Sequence, residues 1–325
     1  MQYIESIFGN PIDKLPDEVS DEEVLDALDE AIVDRIKPAK KITGPVWWYG
    51  GKGILARKIV KLLPKTARIY VEPYCGGASV FWHLPKPFPV EVLNDLDERI
   101  VTLFRVMQDK EKGKDLIHRL RWTPYSYSEF AKAVQIVNEW QSDEITLAWA
   151  FFVTQTMGFS GVARTPGRWG RAFKSVGGMS MRTSGWRNRI KLLSWWHDRL
   201  TRVQIDCRDA LEVIAYWDTE DTVFYIDPPY IADTRVDKKV YQHEADKTHH
   251  EKLVDLLLQL KGQAVVSGYD HELYRRLEEA GWQREEIETV CSAAARTRET
   301  GIQGAGAARK RVPRVEILWI KRKHK

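Results

Sequence analysis

The chain has 325 residues, 43% of them hydrophobic, and a formal net charge of +4. That length buries at least one substantial core and leaves room for a second module, while no apolar run approaches the roughly 20 residues a bilayer span requires. An acidic start without a basic, apolar leader predicts a cytoplasmic protein, and Cys75, Cys207 and Cys291, far apart and without C-x-x-C spacing, argue for reduced thiols rather than a disulfide framework or a zinc site.

Residues 1–36 carry eleven carboxylates against Lys14 and Arg35. Within this arm Ser20 and Glu23 form a capping box that opens an acidic helix of about four turns over DEEVLDALDEAIVDRI, closed by Lys37-Pro38. ILARKIVKLL (54–63) has helical spacing and stops at Pro64; RIYVE (68–72) and VEVLND (90–95) read as strands, and DERIVTLFRVMQ (97–108) as an amphipathic helix. This is the rhythm of a parallel sheet covered by helices. From 113 to 200 the pattern turns helical, with a Ser126-x-x-Glu129 box and the run TLAWAFFVTQ, followed by a Gly/Arg-rich irregular stretch. Sheet rhythm resumes with VQIDC (203–207), TVFYID (222–227), a helix opened by a Thr248-x-x-Glu251 box, QAVVSG (263–268), a helix over HELYRRLEEA and a final strand VEILWI (315–320). The reading is an α/β domain interrupted by a helical, basic insertion: an acidic extension over 1–43, a catalytic domain over 44–112 and 201–325, and a recognition module over 113–200.

Basic residues concentrate in two places. Arg164, Arg168, Arg171, Lys174, Arg182, Arg187, Arg189, Lys191 and Arg199 face Asp198 alone across 164–199, and 296–325 ends in KRKHK. Tryptophans and glycines interleave the first group (GRWGRAF, SGWRNRIKLLSWW), adding stacking faces to charge, which points to a nucleic-acid partner.

The first strand ends in Glu72-Pro73-Tyr74-Cys75-Gly76-Gly77-Ala78-Ser79, small residues where a ligand can approach bare backbone. The next ends in Asn94-Asp95-Leu96-Asp97, with Asp95 18 residues beyond Gly77. That is close to the roughly 20 at which a Rossmann-type sheet offers a carboxylate to ribose hydroxyls. G-x-G-x-x-G is incomplete and no G-x-x-x-x-G-K-[ST] exists, so a nucleoside cofactor without a pyrophosphate is favoured; S-adenosylmethionine fits.

In order over 45–322, Trp48-Tyr49-Gly50-Gly51-Lys52, EPYCGGASVF, LNDLD, DPPY (227–230), SGYD and an arginine-rich segment leading to RVEILWI resemble the Dam-type (alpha-group) DNA adenine methyltransferases. The resemblance implies a Rossmann-like, mostly parallel sheet with an antiparallel last strand and an inserted helical target-recognition domain. It implies site-specific methylation of adenine's exocyclic amine in double-stranded DNA, by base flipping, from S-adenosylmethionine. Cofactor contacts carry over to Trp48, Tyr49, Lys52, Glu72, Tyr74, Gly76, Gly77, Asp95, Asp209 and Asp227. Ala78 stands where many members have glycine. The implied setting is a bacterial cell or phage, with or without a restriction endonuclease partner, as monomer or homodimer, with neither metal nor membrane.

An adenine amino nitrogen is a poor nucleophile because its lone pair is delocalised into the ring. Asp227 can accept one N–H and the Pro228 carbonyl, in a backbone stiffened by Pro228 and Pro229, the other; Tyr230 can stack the extruded base. No Pro-Cys dipeptide exists, as a carbon-5 cytosine methyltransferase would need. Cytosine's exocyclic amine or an RNA base would suit the same acceptors, and a catalytically silent DNA-binding protein could keep the scaffold. His243, His249 and His250 match no ligand spacing and read as a solvated helix entrance; Trp195 and Trp196 read as core. Target reading is expected in a hairpin over 156–175, with Arg164, Arg168, Arg171 and Lys174 on DNA and Trp169 as a wedge. Residues 292–314 read as a mobile basic loop over the DNA backbone.

Overall fold

Alternation within short apolar strands sets the architecture. In Ile69–Glu72 (β1), Tyr70 and Val71 are both fully buried yet pack into different cores, because successive side chains of a strand leave on opposite faces. Val90–Asn94 (β2) repeats the device with Val92 and Leu93. Two short hairpins follow in the chain, Gly158–Phe159 with Arg168–Trp169 (β3, β4) and Ser175–Val176 with Met179–Ser180 (β5, β6). Gln204–Asp206 (β7), Thr222–Ile226 (β8), Gln263–Gly268 (β9), Gln283–Val290 (β10) and Pro313–Lys321 (β11) complete the strands. The structure, a computed structural model, describes residues 43–48, 50–64, 66–159, 168–230, 247–290 and 313–323. The acidic arm, Tyr49, Arg164, His243 and all but the last two residues of the 292–314 segment lie outside the described residues.

Seven strands form one sheet in the order β10-β11-β9-β8-β1-β2-β7. The five from β9 to β7 are mutually parallel, and β11 runs antiparallel to both β9 and β10. Chain order reverses between β1 and β8, so the crevice beyond their carboxyl ends is the topological switch point, where ligands of such sheets bind. The central strands β8 and β9 are buried along their whole length, as expected of parallel strands covered on both faces.

The helices are Ala56–Leu62 (α1), Glu98–Gln108 (α2), Lys110–Arg121 (α3), Tyr127–Glu139 (α4), Glu144–Met157 (α5), Met181–Ile190 (α6), Leu193–Leu200 (α7), Ala210–Trp217 (α8), Lys247–Leu258 (α9) and Glu272–Glu279 (α10). One face of the sheet packs against α8, α9 and α10 through Val213, Ile214, Leu253, Leu257 and Leu277. The other carries α1, α2 and the whole of α3 to α7: Leu116, Phe130, Phe151 and Trp196 share a core with Leu93 and Tyr225 of the strands. Helix α5 is apolar all round, with Trp149, Phe151 and Phe152 fully buried, the composition of a helix threaded through an interior. Asp97, Asp109, Ser126 and Asp143 cap their helices with side-chain oxygens, Ser126 accepting from Glu129 N as the first half of the box read from sequence.

Three details depart from the sequence reading. Thr248 lies inside α9 rather than ahead of it, so its box is not the cap. Pro313 and Arg314, expected in a mobile loop, pair with Val290 and Thr289 as the start of β11. Strand β10 carries no apolar run, only Ile287 among its described side chains being buried; an edge strand needs one buried contact and tolerates charge elsewhere.

The shared core makes a direct prediction. Phe151→Ala should cost about 3–5 kcal/mol in urea unfolding, whereas Tyr216→Ala, on the exposed face of α8, should cost less than about 1 kcal/mol.

Candidate active site

The carboxyl ends of β1, β2 and β7 are stitched together by Asn94 and Asp95. Asn94 Nδ2 donates to the carbonyls of Pro73 (2.8 Å) and Arg208 (3.0 Å), and its Oδ1 accepts from Arg208 N (2.9 Å). Asp95 accepts from Gly76 N (2.7 Å) and Asp97 N (2.9 Å). One side chain thus ties the loops after β1 and β7 to the end of β2, and its neighbour clamps the glycine turn. Gly76 has φ +46°, and a Cβ there would collide with the Trp48 indole; one on Gly77 would stand 2.8 Å from Trp48 Cβ. Only bare backbone fits beneath Trp48. Ala78 also sits in the left-handed region, at φ +52° with its methyl fully buried, a strain of about 1 kcal/mol that glycine would avoid.

Glu72 closes β1 and is 1% exposed. Its Oε1 accepts from the Tyr70 hydroxyl (2.5 Å) and Phe81 N (2.7 Å). Burial outweighs these bonds and pushes its carboxyl up to about 8; burial likewise lifts Asp95 to about 6. Tyr74 meets His249 Nε2 at 2.7 Å, and His250 meets the Tyr274 hydroxyl at 2.9 Å, so these two histidines serve aromatic hydroxyls, and His250 is buried. Asp209 caps α8 by accepting from Leu211 N at 2.8 Å. Cys75 is buried, its thiol pushed up by that burial. Among the described residues no group of three or more His, Cys, Asp or Glu could hold a metal ion.

At the end of β8 the strand delivers Asp227 to a dense polar cluster. Lys52 Nζ donates to both carboxylate oxygens (2.7 and 2.8 Å) and lies 3.5 Å from Glu316 Oε1. It also stands 4.8 Å from the centroid of the Tyr230 ring. The Tyr230 hydroxyl donates to the same Glu316 oxygen, and its ring meets Tyr269 edge-on at 4.5 Å. Ser267 Oγ donates to Asp227 at 3.0 Å and is itself 3.0 Å from the Tyr225 hydroxyl. Lys52, Asp227, Pro228 and Tyr230, nominated from sequence, therefore come together, while Trp48, Gly76, Gly77 and Asp95 form the adjoining loop. Glu316, Ser267, Tyr225 and Asn94 were not nominated. Glu316 had left a trace: a lone carboxylate inside an otherwise apolar strand.

The basic run divides by position. Arg189 donates to the carbonyls of Gly44 (2.9 Å) and Pro45 (2.7 Å), and its burial lowers its pKa to about 10. Arg199 binds Glu91 with two bonds (2.6 and 2.7 Å) and covers the Phe81 ring at 4.0 Å. Both guanidiniums are thus engaged by groups of the protein itself. Arg168, Arg171 and Lys174 are exposed. Trp169, expected as a wedge, is half-buried, its ring 5.8 Å from Tyr125 and 6.0 Å from Tyr127, with Arg171 over it at 5.3 Å. Phe173, between Arg171 and Lys174, is the fully exposed aromatic of this stretch.

The model of the D12 class N6 adenine-specific DNA methyltransferases matches residues 48–290. A Type II methyltransferase, M.CviBI, of Paramecium bursaria Chlorella virus NC1A is 23% identical over 190 residues, which span 57% of this chain and 68% of that protein.

Glu72 gives a pH test. With its folded value at about 8 against an ordinary 4.5, the folded state holds an extra proton between those limits, so stability falls as pH rises through that window and levels off above it. Glu72→Gln keeps an acceptor for Tyr70 and Phe81 and cannot ionise. Its unfolding free energy should slope less steeply between pH 5 and 8 and match or exceed that of the wild type at pH 8.5; parallel slopes would show that Glu72 is already ionised.

Proposed function

The chain belongs to the D12 class N6 adenine-specific DNA methyltransferase family, and from that premise we propose that it methylates an adenine extruded from duplex DNA, with S-adenosylmethionine as donor and Asp227-Pro228-Pro229-Tyr230 as the reacting centre. The observation that carries the reading is the setting of Asp227: a carboxylate at the switch point, its two oxygens held by Lys52 beside the face of Tyr230.

The residues of the glycine turn suit such a donor. Gly76 and Gly77 present backbone under Trp48 where any side chain would collide, and Asp95 offers a carboxylate beside them, each oxygen retaining a lone pair beyond its bond to Gly76 or Asp97. We assign Trp48, Lys52, Tyr74, Gly76, Gly77, Asp95, Asp209 and Asp227 to the donor's surroundings. Tyr49 joins them by sequence alone and Glu72 as a buried support. When bound, the donor supplies an electrophilic methyl group on a sulfonium sulfur.

Asp227 accepts one N–H of the target amine and the Pro228 carbonyl the other, which localises the nitrogen lone pair and turns it outward. Lys52 holds both of the carboxylate oxygens and lies near the Tyr230 ring that would stack the base, so it must withdraw as the base enters. Extrusion costs a few kcal/mol, and stacking on Tyr230 returns roughly 1–3 of them. After transfer the surplus N6 proton leaves along its bond to Asp227. The segment 113–200 acts as the target-recognition module, with Arg168, Arg171 and Lys174 toward DNA, supported by their exposure; Arg164 is assigned with them from sequence.

Three measurements test this. Incubation with unmodified DNA and methyl-labelled donor should yield N6-methyladenine as the labelled nucleoside, and Asp227→Ala should lower the single-turnover rate by at least about 100-fold with DNA affinity little changed; an equal rate would sink the assignment. Arg168→Ala should broaden the set of methylated sites if the side chain touches a base edge, or weaken all sites alike and reduce the salt slope by about one if it touches phosphate.

A further inference from the structure

We infer that Glu316 is a positioning residue of the reacting centre: it takes over Lys52 when the target amine displaces that ammonium from Asp227, and it fixes the ring of Tyr230. The inference rests on the reading of Asp227 as acceptor of the target N–H. Lys52 Nζ is 2.7 Å from Asp227 and only 3.5 Å from Glu316 Oε1, so a small swing of a flexible side chain completes the transfer without breaking its ion pairing. The Tyr230 hydroxyl donates to that same oxygen, which ties the base-stacking ring to the group that receives the lysine.

Charge explains why the transfer matters. A carboxylate already neutralised by an ammonium is a weak acceptor for a neutral amine. With Lys52 paired to Glu316, Asp227 keeps its full negative charge for the incoming N–H. Glu316 is 4% exposed, and buried ion pairs add little to net stability, which leaves charge balance and geometry as its contribution. Its position follows from topology: β11 runs antiparallel, Ile317 pairs with Gly268, and so the beginning of β11, not its end, lies beside the carboxyl ends of β8 and β9.

The test compares Glu316→Gln, which keeps an acceptor for Tyr230 but no charge, with Glu316→Asp, which keeps the charge on a shorter stem. Both are measured in the full chain with unmodified DNA and labelled donor. Glu316→Gln should slow single-turnover methylation by roughly 10- to 100-fold, with donor and DNA dissociation constants within about twofold of wild type and an unchanged melting transition. Glu316→Asp should recover part of the rate. A wild-type rate in Glu316→Gln, or an aspartate variant as slow as the glutamine one, overturns the inference. If the unaltered protein transfers no methyl group to adenine, the reading of the site fails instead, and the two failures are thereby distinct.

Discussion

Lys52, Asp227 and Glu316 meet where their side chains are 8%, 18% and 5% exposed, and taking charges out of water costs several kcal/mol each unless they are paired. The ammonium can lie between both carboxylates only if three distant parts of the chain arrive together. The end of β8 supplies Asp227, the turn after Gly50 supplies Lys52, and the beginning of β11 supplies Glu316. Parallel strands alone would bring only their ends to the crevice. The antiparallel final strand brings a beginning, and Ser267 on β9 fills the row between, donating to Asp227 from the strand that separates β8 from β11.

The strap that carries Trp48 and Lys52 owes its place to the helical segment between β2 and β7. Trp196 Nε1 on α7 donates to Thr43 O at 3.2 Å, and Arg189 on α6 holds the next two carbonyls. A strap with no strand partner must satisfy its carbonyls elsewhere, and a guanidinium with five fixed donors can hold two at once. The segment bearing the exposed arginines and the strap bearing Trp48 and Lys52 are thus joined by direct hydrogen bonds and by one continuous core.

Most of this frame was legible in the residues. The strands β1, β2, β8 and β9 announce themselves as short apolar runs, and the switch point follows from the motifs at their ends. What escaped has physical reasons. Charge counting along 164–199 could not tell Arg189 and Arg199, enclosed by carbonyls and by Glu91, from Arg168 and Arg171 on the surface, since sequence proximity says nothing about which arginine finds a buried partner. Trp169 looked free because its neighbours Tyr125 and Tyr127 lie some forty residues back. Strand β10 escaped because only Ile287 of its described side chains is buried. Glu316 was passed over because a carboxylate in a strand acquires a role only once Lys52 and Tyr230, far away in the chain, are placed against it.

On the function proposed above, holding Asp227 in an ion pair before a base arrives imposes an energetic condition on the whole surface. On that reading extruding a base costs a few kcal/mol, and one aromatic stack returns only roughly 1–3 of them. The remainder has to come from contacts remote from the reacting nitrogen, the use to which binding energy outside a reacting centre is put. Exposed Arg168, Arg171 and Lys174 offer charge for phosphates or base edges, and Phe173 an apolar face beside them. On that reading a short duplex that misses this face supplies the adenine without that energy, so discrimination between a full and a short duplex belongs in the rate of methyl transfer and not only in affinity.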